Sequence, residues 1–207
     1  MNIWLKRSNT EAWIEKAGQV KLNKMYQPVI DSIQSYASLS EAEIQDFTDR
    51  LLLCELKKGD RILEIGEVCQ DWSFIVTGSF RAYYLDEDLN EITTNLFLEN
   101  SWMLNHASFT GQKPAKSKLE AFEDSTVLSI NIEDLHLLIG KSPAYFGLGK
   151  ILETKHESDH PKASPEEKYQ KLISAKPKLI QKFPLKYIAS YLGMTPETLS
   201  RVRNRIR

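Results

Sequence analysis

Between Leu52 and Ile132 the chain is broken into short strand-like runs, each closed by turn residues, and this punctuation narrows the possible folds more than any other feature. The runs are Arg61 to Ile65, Ser73 to Thr77, Phe80 to Leu85, Glu91 to Phe97, Lys118 to Phe122 and Thr126 to Ile130. Lys58-Gly59-Asp60, Ile65-Gly66, Thr77-Gly78-Ser79 and Asp86 to Asn90 separate them. Many short strands at regular spacing predict an antiparallel roll or sandwich.

Helical signals flank this region, so the expected class is α+β. Ser40 and Glu43 form a capping-box pair ahead of Ile44, Phe47 and Leu51, spaced i, i+3, i+7. Asn131 is placed to cap a helix from Ile132 to Ile139. Ser142-Pro143 then opens another, with cap and first-turn proline in the favoured order. It would carry Tyr145, Leu148, Ile151, Leu152 and Lys155 near one stripe, able to pack on its own roll or on the same helix of a second subunit. Gly147 and Gly149 would weaken it by about 1 kcal/mol each unless close packing uses their smallness. The first 24 residues are polar and loosely helical; Thr10 can cap a short helix bearing Trp13, Ala17 and Val20, and Met25 could itself be an initiator. Ser158 to Pro165, polar with two prolines, reads as a domain boundary, with helices from Glu166 to Ala175 and Pro177 to Lys182 beyond it.

Charge divides the chain at about the same place. From Lys162 to Arg207, eleven Lys/Arg outweigh Glu166, Glu167 and Glu197, for a net +8, while the first 161 residues carry −9. An acidic body with a basic end is what a separate polyanion-binding module produces. Cys54 and Cys69 are too few for an iron–sulfur cluster or a disulfide framework; they read as small buried hydrophobes in a reducing cytoplasm. No apolar run approaches membrane-spanning length. His156 and His160 have a zinc-compatible spacing but adjoin Pro161 and lack a third ligand, and His106 and His136 lack a catalytic partner. With no clustered His/Glu motif, phosphate loop or nucleophile elbow, neither an enzyme nor a metal or cofactor is expected.

The last 23 residues carry the chemistry. Ile188 and Leu192 lie one turn apart on a helix beginning after Pro184, and Gly193 supplies the positive φ that ends it. Thr195 caps a second helix with Pro196 at its first position, and Leu199, Val202 and Ile206 give that helix one buried face. Ala189 is small, as needed where two helices cross closely. This is the spacing of a helix-turn-helix. On the opposite face, Arg201 can fork onto guanine O6 and N7, Glu197 can accept from cytosine N4, and Ser200 lies beside them. Thr195 and Thr198 suit phosphate oxygens, while Lys186, Arg203, Arg205 and Arg207 add Coulomb attraction and salt dependence.

The stretch from Tyr187 to Arg201 resembles the winged helix-turn-helix of the Crp/Fnr family of catabolite-activator-like regulators, and the resemblance runs from Met25 to the end. Gly59, Gly66 and Gly78 are similar to that family's β-roll turn glycines. The resemblance implies a jelly-roll-like β-roll sensor over 25–141, a connecting dimer helix over 142–160 and a winged helix-turn-helix over 161–207, behind an extension of 1–24. It implies a cytoplasmic homodimer reading a near-palindromic double-stranded operator, with RNA polymerase as a further contact. Glu197, Ser200 and Arg201 match the family's base-reading positions, with Lys186 and Tyr187 opening the motif; Pro196 falls where many members have another arginine. In the family's phosphate cassette, however, Leu104 and Asn105 stand in place of glycine and glutamate, and Lys116 in place of arginine. Lysine lacks the planar fork that matches a phosphate. Tight cyclic AMP binding is therefore not expected, while another small effector touching Asn105, His106 or Lys116 stays open. The competing reading is an effector- or protein-binding roll whose DNA binding is vestigial.

Overall fold

Helix caps and turn glycines act where the sequence places them. In the computed structural model of the protein, residues 19–152 and 163–206 are described, with side chains from Met25 onward. The expectations for residues 1–18, Lys155, His156, His160 and Arg207 fall outside this range. Two compact units divide the chain: residues 1–80 with 98–154, and residues 81–97 with 155–207.

The first unit opens with helix α1 (Gln19–Gln34) and helix α2 (Glu41–Thr48). Ser40 caps α2 by accepting the Glu43 N–H, and the Glu43 carboxylate accepts the Ser40 N–H in return, at 3.4 and 2.8 Å. The strands along the chain are β1 (Leu52–Leu56), β2 (Arg61–Leu63), β3 (Asp71–Thr77), β4 (Ser79–Leu85), β5 (Glu91–Leu98), β6 (Ser101–Met103), β7 (Lys118–Ala121) and β8 (Ser125–Asn131), of which the β4–β5 hairpin belongs to the second unit. Within the first unit β1, β8, β3 and β6 make a four-stranded sheet in that order. Its pairing is antiparallel, with Leu53 opposite Leu128, Trp72 opposite Ile130 and Phe74 opposite both Leu128 and Trp102. In the same unit β2 pairs antiparallel with β7. The jelly-roll-like roll is therefore present. β1 and the three-residue β6 are additions to the strands read from sequence. So is helix α3 (His106–Gly111), set between β6 and β7. Trp72, Phe74, Ile75, Leu128 and Ile130 fill the core together with Ile33, Phe47 and Leu51.

Helix α4 (Ile132–Lys141) begins at Asn131, whose side chain accepts the Glu133 N–H as expected. After it the structure departs from the expected α-helix over Pro143–Leu148. Ser142 caps and Pro143 starts, but the chain forms a 3-10 turn (Pro143–Leu148) before helix α5 (Gly149–Leu152), which runs to the last described residue of this stretch. A Cβ at Gly147 would sit 2.6 Å from the Tyr36 carbonyl oxygen and 2.9 Å from the Ala37 Cβ, so close packing does use that glycine. Of the two partners left open for this stripe, the roll side takes most of it: Tyr145 and Leu148 are 1% exposed and Ile151 is buried inside the unit itself, with Leu152 half-buried. The Tyr145 hydroxyl donates to the Glu43 carbonyl at 2.8 Å.

Glu43 thus joins α2 to the 3-10 turn. Its carboxylate is held below the ordinary range, first by the Ser142 hydroxyl at 2.5 Å and then by the Ser40 backbone and side chain. A depressed folded pKa contributes stability that is present above the unfolded carboxylate pKa and is lost as pH falls through the folded one. Glu43→Gln is expected to flatten that part of the acid limb, read by thermal melting from neutral pH down to about pH 3. An unchanged acid profile would remove Glu43 from this role.

In the second unit, helices α6 (Pro165–Ala175), α7 (Pro177–Lys182), α8 (Leu185–Tyr191) and α9 (Pro196–Ile206) follow one another. Ser164 and Glu167 cap α6 reciprocally, and Pro165 occupies its first turn. No strand lies among residues 163–206, so the wing implied by the resemblance has no counterpart among the described residues.

Candidate nucleic-acid interface and the roll cavity

The turn between α8 and α9 is built from short-range backbone pairing. Gly193 takes φ +70°, its N–H donates to the Ser190 carbonyl at 3.0 Å, and the Met194 N–H reaches the Ala189 carbonyl at 2.9 Å. This is a Schellman ending, which needs a left-handed residue at the glycine position. Thr195 Oγ1 accepts the Thr198 N–H at 3.2 Å and Pro196 opens α9. Leu199 is 0% and Val202 2% exposed, with Ile206 half-buried, against α6 and α8, where Ile188 and Ala189 are buried in turn.

Glu197, Ser200 and Arg201 stand exposed on the other side of α9. The Glu197 carboxyl is held below its usual range, chiefly by its own backbone N–H, then by the Thr195 hydroxyl, with Arg201 adding to the effect. It is therefore an anionic acceptor at neutral pH. Lys186 is exposed and Arg203 half-buried, while Arg205 is exposed but pairs with Glu166 at 2.8 Å. Thr195 and Thr198 lie 3.1 Å apart through their hydroxyls.

Tyr187 has a different setting from the one its place in the motif implies. The β4–β5 hairpin belongs to the same unit, and its Arg81 lies over the Tyr187 ring at 3.9 Å and over Tyr83 at 4.3 Å. Arg81 is 5% exposed; Nε donates to Thr93 Oγ1 at 2.9 Å and Nη1 to the Glu91 carboxylate at 2.5 Å. The Ser190 hydroxyl, on α8, receives the Thr93 N–H at 2.8 Å and donates to the Glu91 carbonyl at 3.4 Å. The hairpin therefore grips α8 through one buried guanidinium and one serine. Sequence reading missed this contact; a lone arginine in the otherwise apolar start of β4 was its only signal.

In the first unit the roll encloses a cavity of about 390 Å³. Its wall comes from β1, β2, β3, β6, β7 and β8, including Cys54, Cys69, Asp71, Ser73, Met103 and Ser129. None of the three residues expected to touch an effector lines it. Asn105 caps α3 by accepting the Ser108 N–H and donates to Ser117 Oγ at 3.1 Å, so its side chain closes the 105–117 segment on itself. His106 starts α3 and is half-buried, and Lys116 is exposed. The sequence reading pointed to none of the cavity residues; the signal it held was Ser73 and Ser129, directly opposite in register and 2.8 Å apart through their hydroxyls, which interrupt two apolar strands. Cys69 is buried as expected, and burial pushes its thiol up, away from a reactive thiolate. Among the described residues no group of His, Cys, Asp and Glu is arranged to hold a metal, and no helix is long and apolar enough to cross a membrane.

Residues 53–142 match the family described as the cyclic nucleotide-binding domain. No curated protein matches the chain in sequence. Among solved structures, FixK2 from Bradyrhizobium japonicum is similar at 19% identity with a TM-score of 0.60, over 75% of this chain and 84% of that one. A Crp/Fnr-family regulator structure from Eubacterium rectale is 20% identical with a TM-score of 0.57, over 82% and 84%. The catabolite activator protein of Thermus thermophilus is 20% identical with a TM-score of 0.51, over 81% and 84%. At these identities the likeness is one of fold. Residues 53–142 thus match the cyclic nucleotide-binding domain, in a chain whose fold is similar to these solved structures, one of them a Crp/Fnr-family regulator.

Proposed function

We propose that the chain is a DNA-binding transcription regulator, not an enzyme, that α8 and α9 form its helix-turn-helix, and that it reads a near-palindromic operator as a cytoplasmic homodimer. The observation that carries this is the two-sidedness of α9: Leu199 and Val202 buried, Glu197, Ser200 and Arg201 outward. Arg201 would fork onto guanine and Glu197 would accept from cytosine N4, while Lys186 and Arg203 would meet phosphates. Thr195 and Thr198 are engaged in the cap and Arg205 with Glu166, so their phosphate contacts would form by exchange. Two copies of α9 about 34 Å apart would enter successive major grooves. Tyr145, Leu148 and Ile151 pack within their own unit, so the homodimer is proposed on the resemblance to Crp/Fnr regulators and not on this stripe.

Selection of bound sequences from a random DNA pool tests the reading directly. Against the selected site, Arg201→Ala is expected to cost about 1–3 kcal/mol and to relax preference at one base pair. Binding as tight and selective as the parent's would sink the role given to Arg201.

The regulator's roll has a cassette that no longer grips a cyclic phosphate. Lys116 is exposed rather than aimed into the cavity, and Asn105 is committed to Ser108 and Ser117. Calorimetry with cyclic AMP is expected to give no binding in the micromolar range or tighter; such affinity would overturn the reading of the cassette.

A further inference from the structure

The face that the β1-β8-β3-β6 sheet turns to the roll interior is built from small side chains in register. Cys54 lies opposite Val127, and Ser73 opposite both Ser129 and Met103. The alternate positions, Trp72, Phe74, Trp102 and Leu128, point to the other side of the sheet. Bulk is therefore missing on the inner face, and a cavity of about 390 Å³, in the range of small-molecule sites, occupies the space. Leu56, Ile62, Leu63 and Leu119 make much of the remaining wall aliphatic.

Two of the small residues are serines, 3% and 2% exposed. Their hydroxyls lie 2.8 Å apart and make no other hydrogen bond among the described residues. Each hydroxyl carries one hydrogen and two lone pairs, so this contact uses one hydrogen and leaves the second without an acceptor. Alanine at both positions would avoid the cost of that buried donor, and a ligand oxygen accepting the hydrogen would remove it. No Lys, Arg or His is among the lining residues, so an anion would shed its hydration without a compensating charge. Recognition needs neither carboxylate of the wall: Asp71 is already engaged within the protein, and Glu67 accepts the Glu64 N–H at 3.0 Å.

We propose that this cavity binds a small, uncharged, mainly apolar molecule with a carbonyl oxygen, which accepts the spare hydrogen of the Ser73–Ser129 pair while its hydrocarbon body lies against Leu63, Met103 and Leu119. The inference rests on the reading that the cassette no longer holds a cyclic phosphate, and is independent of DNA binding. It would make the regulator responsive to neutral carbonyl compounds.

Acetophenone, isopropenylbenzene and benzoate share one shape and differ at one group: a carbonyl, a methylidene and a carboxylate. Each is titrated into the full chain by calorimetry and ligand-observed NMR. Acetophenone is expected to bind at least about tenfold tighter than benzoate. Ser73→Ala combined with Ser129→Ala removes both hydroxyls and leaves no partner unpaired, so this variant is expected to fold. In it the affinity for acetophenone relative to isopropenylbenzene should fall about threefold to tenfold. Val127→Phe should abolish acetophenone binding by filling the space. Should one variant fail to fold, the other decides, together with the preference of the parent chain for acetophenone over benzoate. Benzoate binding as tightly as acetophenone, no binding of acetophenone, an affinity ratio unmoved in the folded serine variant, or acetophenone binding unmoved by folded Val127→Phe would each overturn the proposal. Cyclic AMP in competition tells the two readings apart. If it displaces acetophenone with micromolar affinity, both fall; if it binds without displacing acetophenone, only the reading of the cassette falls. If neither ligand binds, the carbonyl proposal alone is lost.

Discussion

Replacing Trp72 with alanine is expected to cost about 3–5 kcal/mol of folding stability, the range for a large aromatic side chain removed from a packed core. Trp72 is fully buried, and its ring stacks on Trp102 with centroids 3.9 Å apart and planes 26° apart. Trp102 in turn meets the edges or faces of Phe74 at 5.1 Å and Phe47 at 6.4 Å, and its indole N–H donates to Ser32 Oγ at 3.0 Å. One cluster therefore fastens α1 and α2 to β3 and β6, and its loss would leave a void that stiff strands cannot close. The second half of the prediction separates shape from polarity. The Trp72 indole N–H is buried without a hydrogen-bond partner, a condition that costs about 1–3 kcal/mol. Trp72→Phe keeps an aromatic ring and removes that donor, so its net cost should stay below about 1.5 kcal/mol. Urea unfolding of both variants reads the difference as midpoint shifts at constant slope. If phenylalanine proves as damaging as alanine, the indole N–H does more than occupy space in the core.

Arg81→Ala is expected to cost about 2–4 kcal/mol, because one side chain supplies several contacts at once. It loses the Thr93 hydrogen bond, the Glu91 ion pair and the faces of Tyr83 and Tyr187 together. The ion pair is the smaller part, since the Glu91 side chain is 44% exposed and screened by water. Glu91→Gln should accordingly cost under about 1 kcal/mol in the same denaturant titration. A Glu91 variant as unstable as the Arg81 variant would show that the pair, rather than the stacking and the buried hydrogen bond, holds the hairpin to α8. Because Ser190 also ties α8 to Thr93 and Glu91, the hairpin and the proposed DNA-reading helices are expected to loosen together.

Much of the candidate interface is legible in the sequence. Gly193, Thr195 and Pro196 act through bonds between residues three to five positions apart, so their roles follow from local backbone chemistry alone. The same holds for the Ser40–Glu43 capping box and the Asn131 cap. Periodicity places Leu199 and Val202 on the inner face of α9, and therefore Glu197, Ser200 and Arg201 on the outer one. Shorter or less regular features escape: β6 has three residues, too few to show alternation, and α3 has six. The stripe of Tyr145, Leu148 and Ile151 reads correctly as apolar, but an apolar stripe does not state its partner. Contact with Glu43 and the close approach of Gly147 to Tyr36 turn it inward.

What the sequence by itself determined was local: which segments alternate, where helices start and stop, and which face of each is apolar. Those properties depend on backbone sterics and on neighbours within a turn or two. Only the tertiary structure decided that Arg81 would lie against Tyr187 and that Asp71 and Glu67 would share a cavity wall. Burial and pairing of a charge depend on groups brought in from distant parts of the chain, and spacing along the chain carries no record of them.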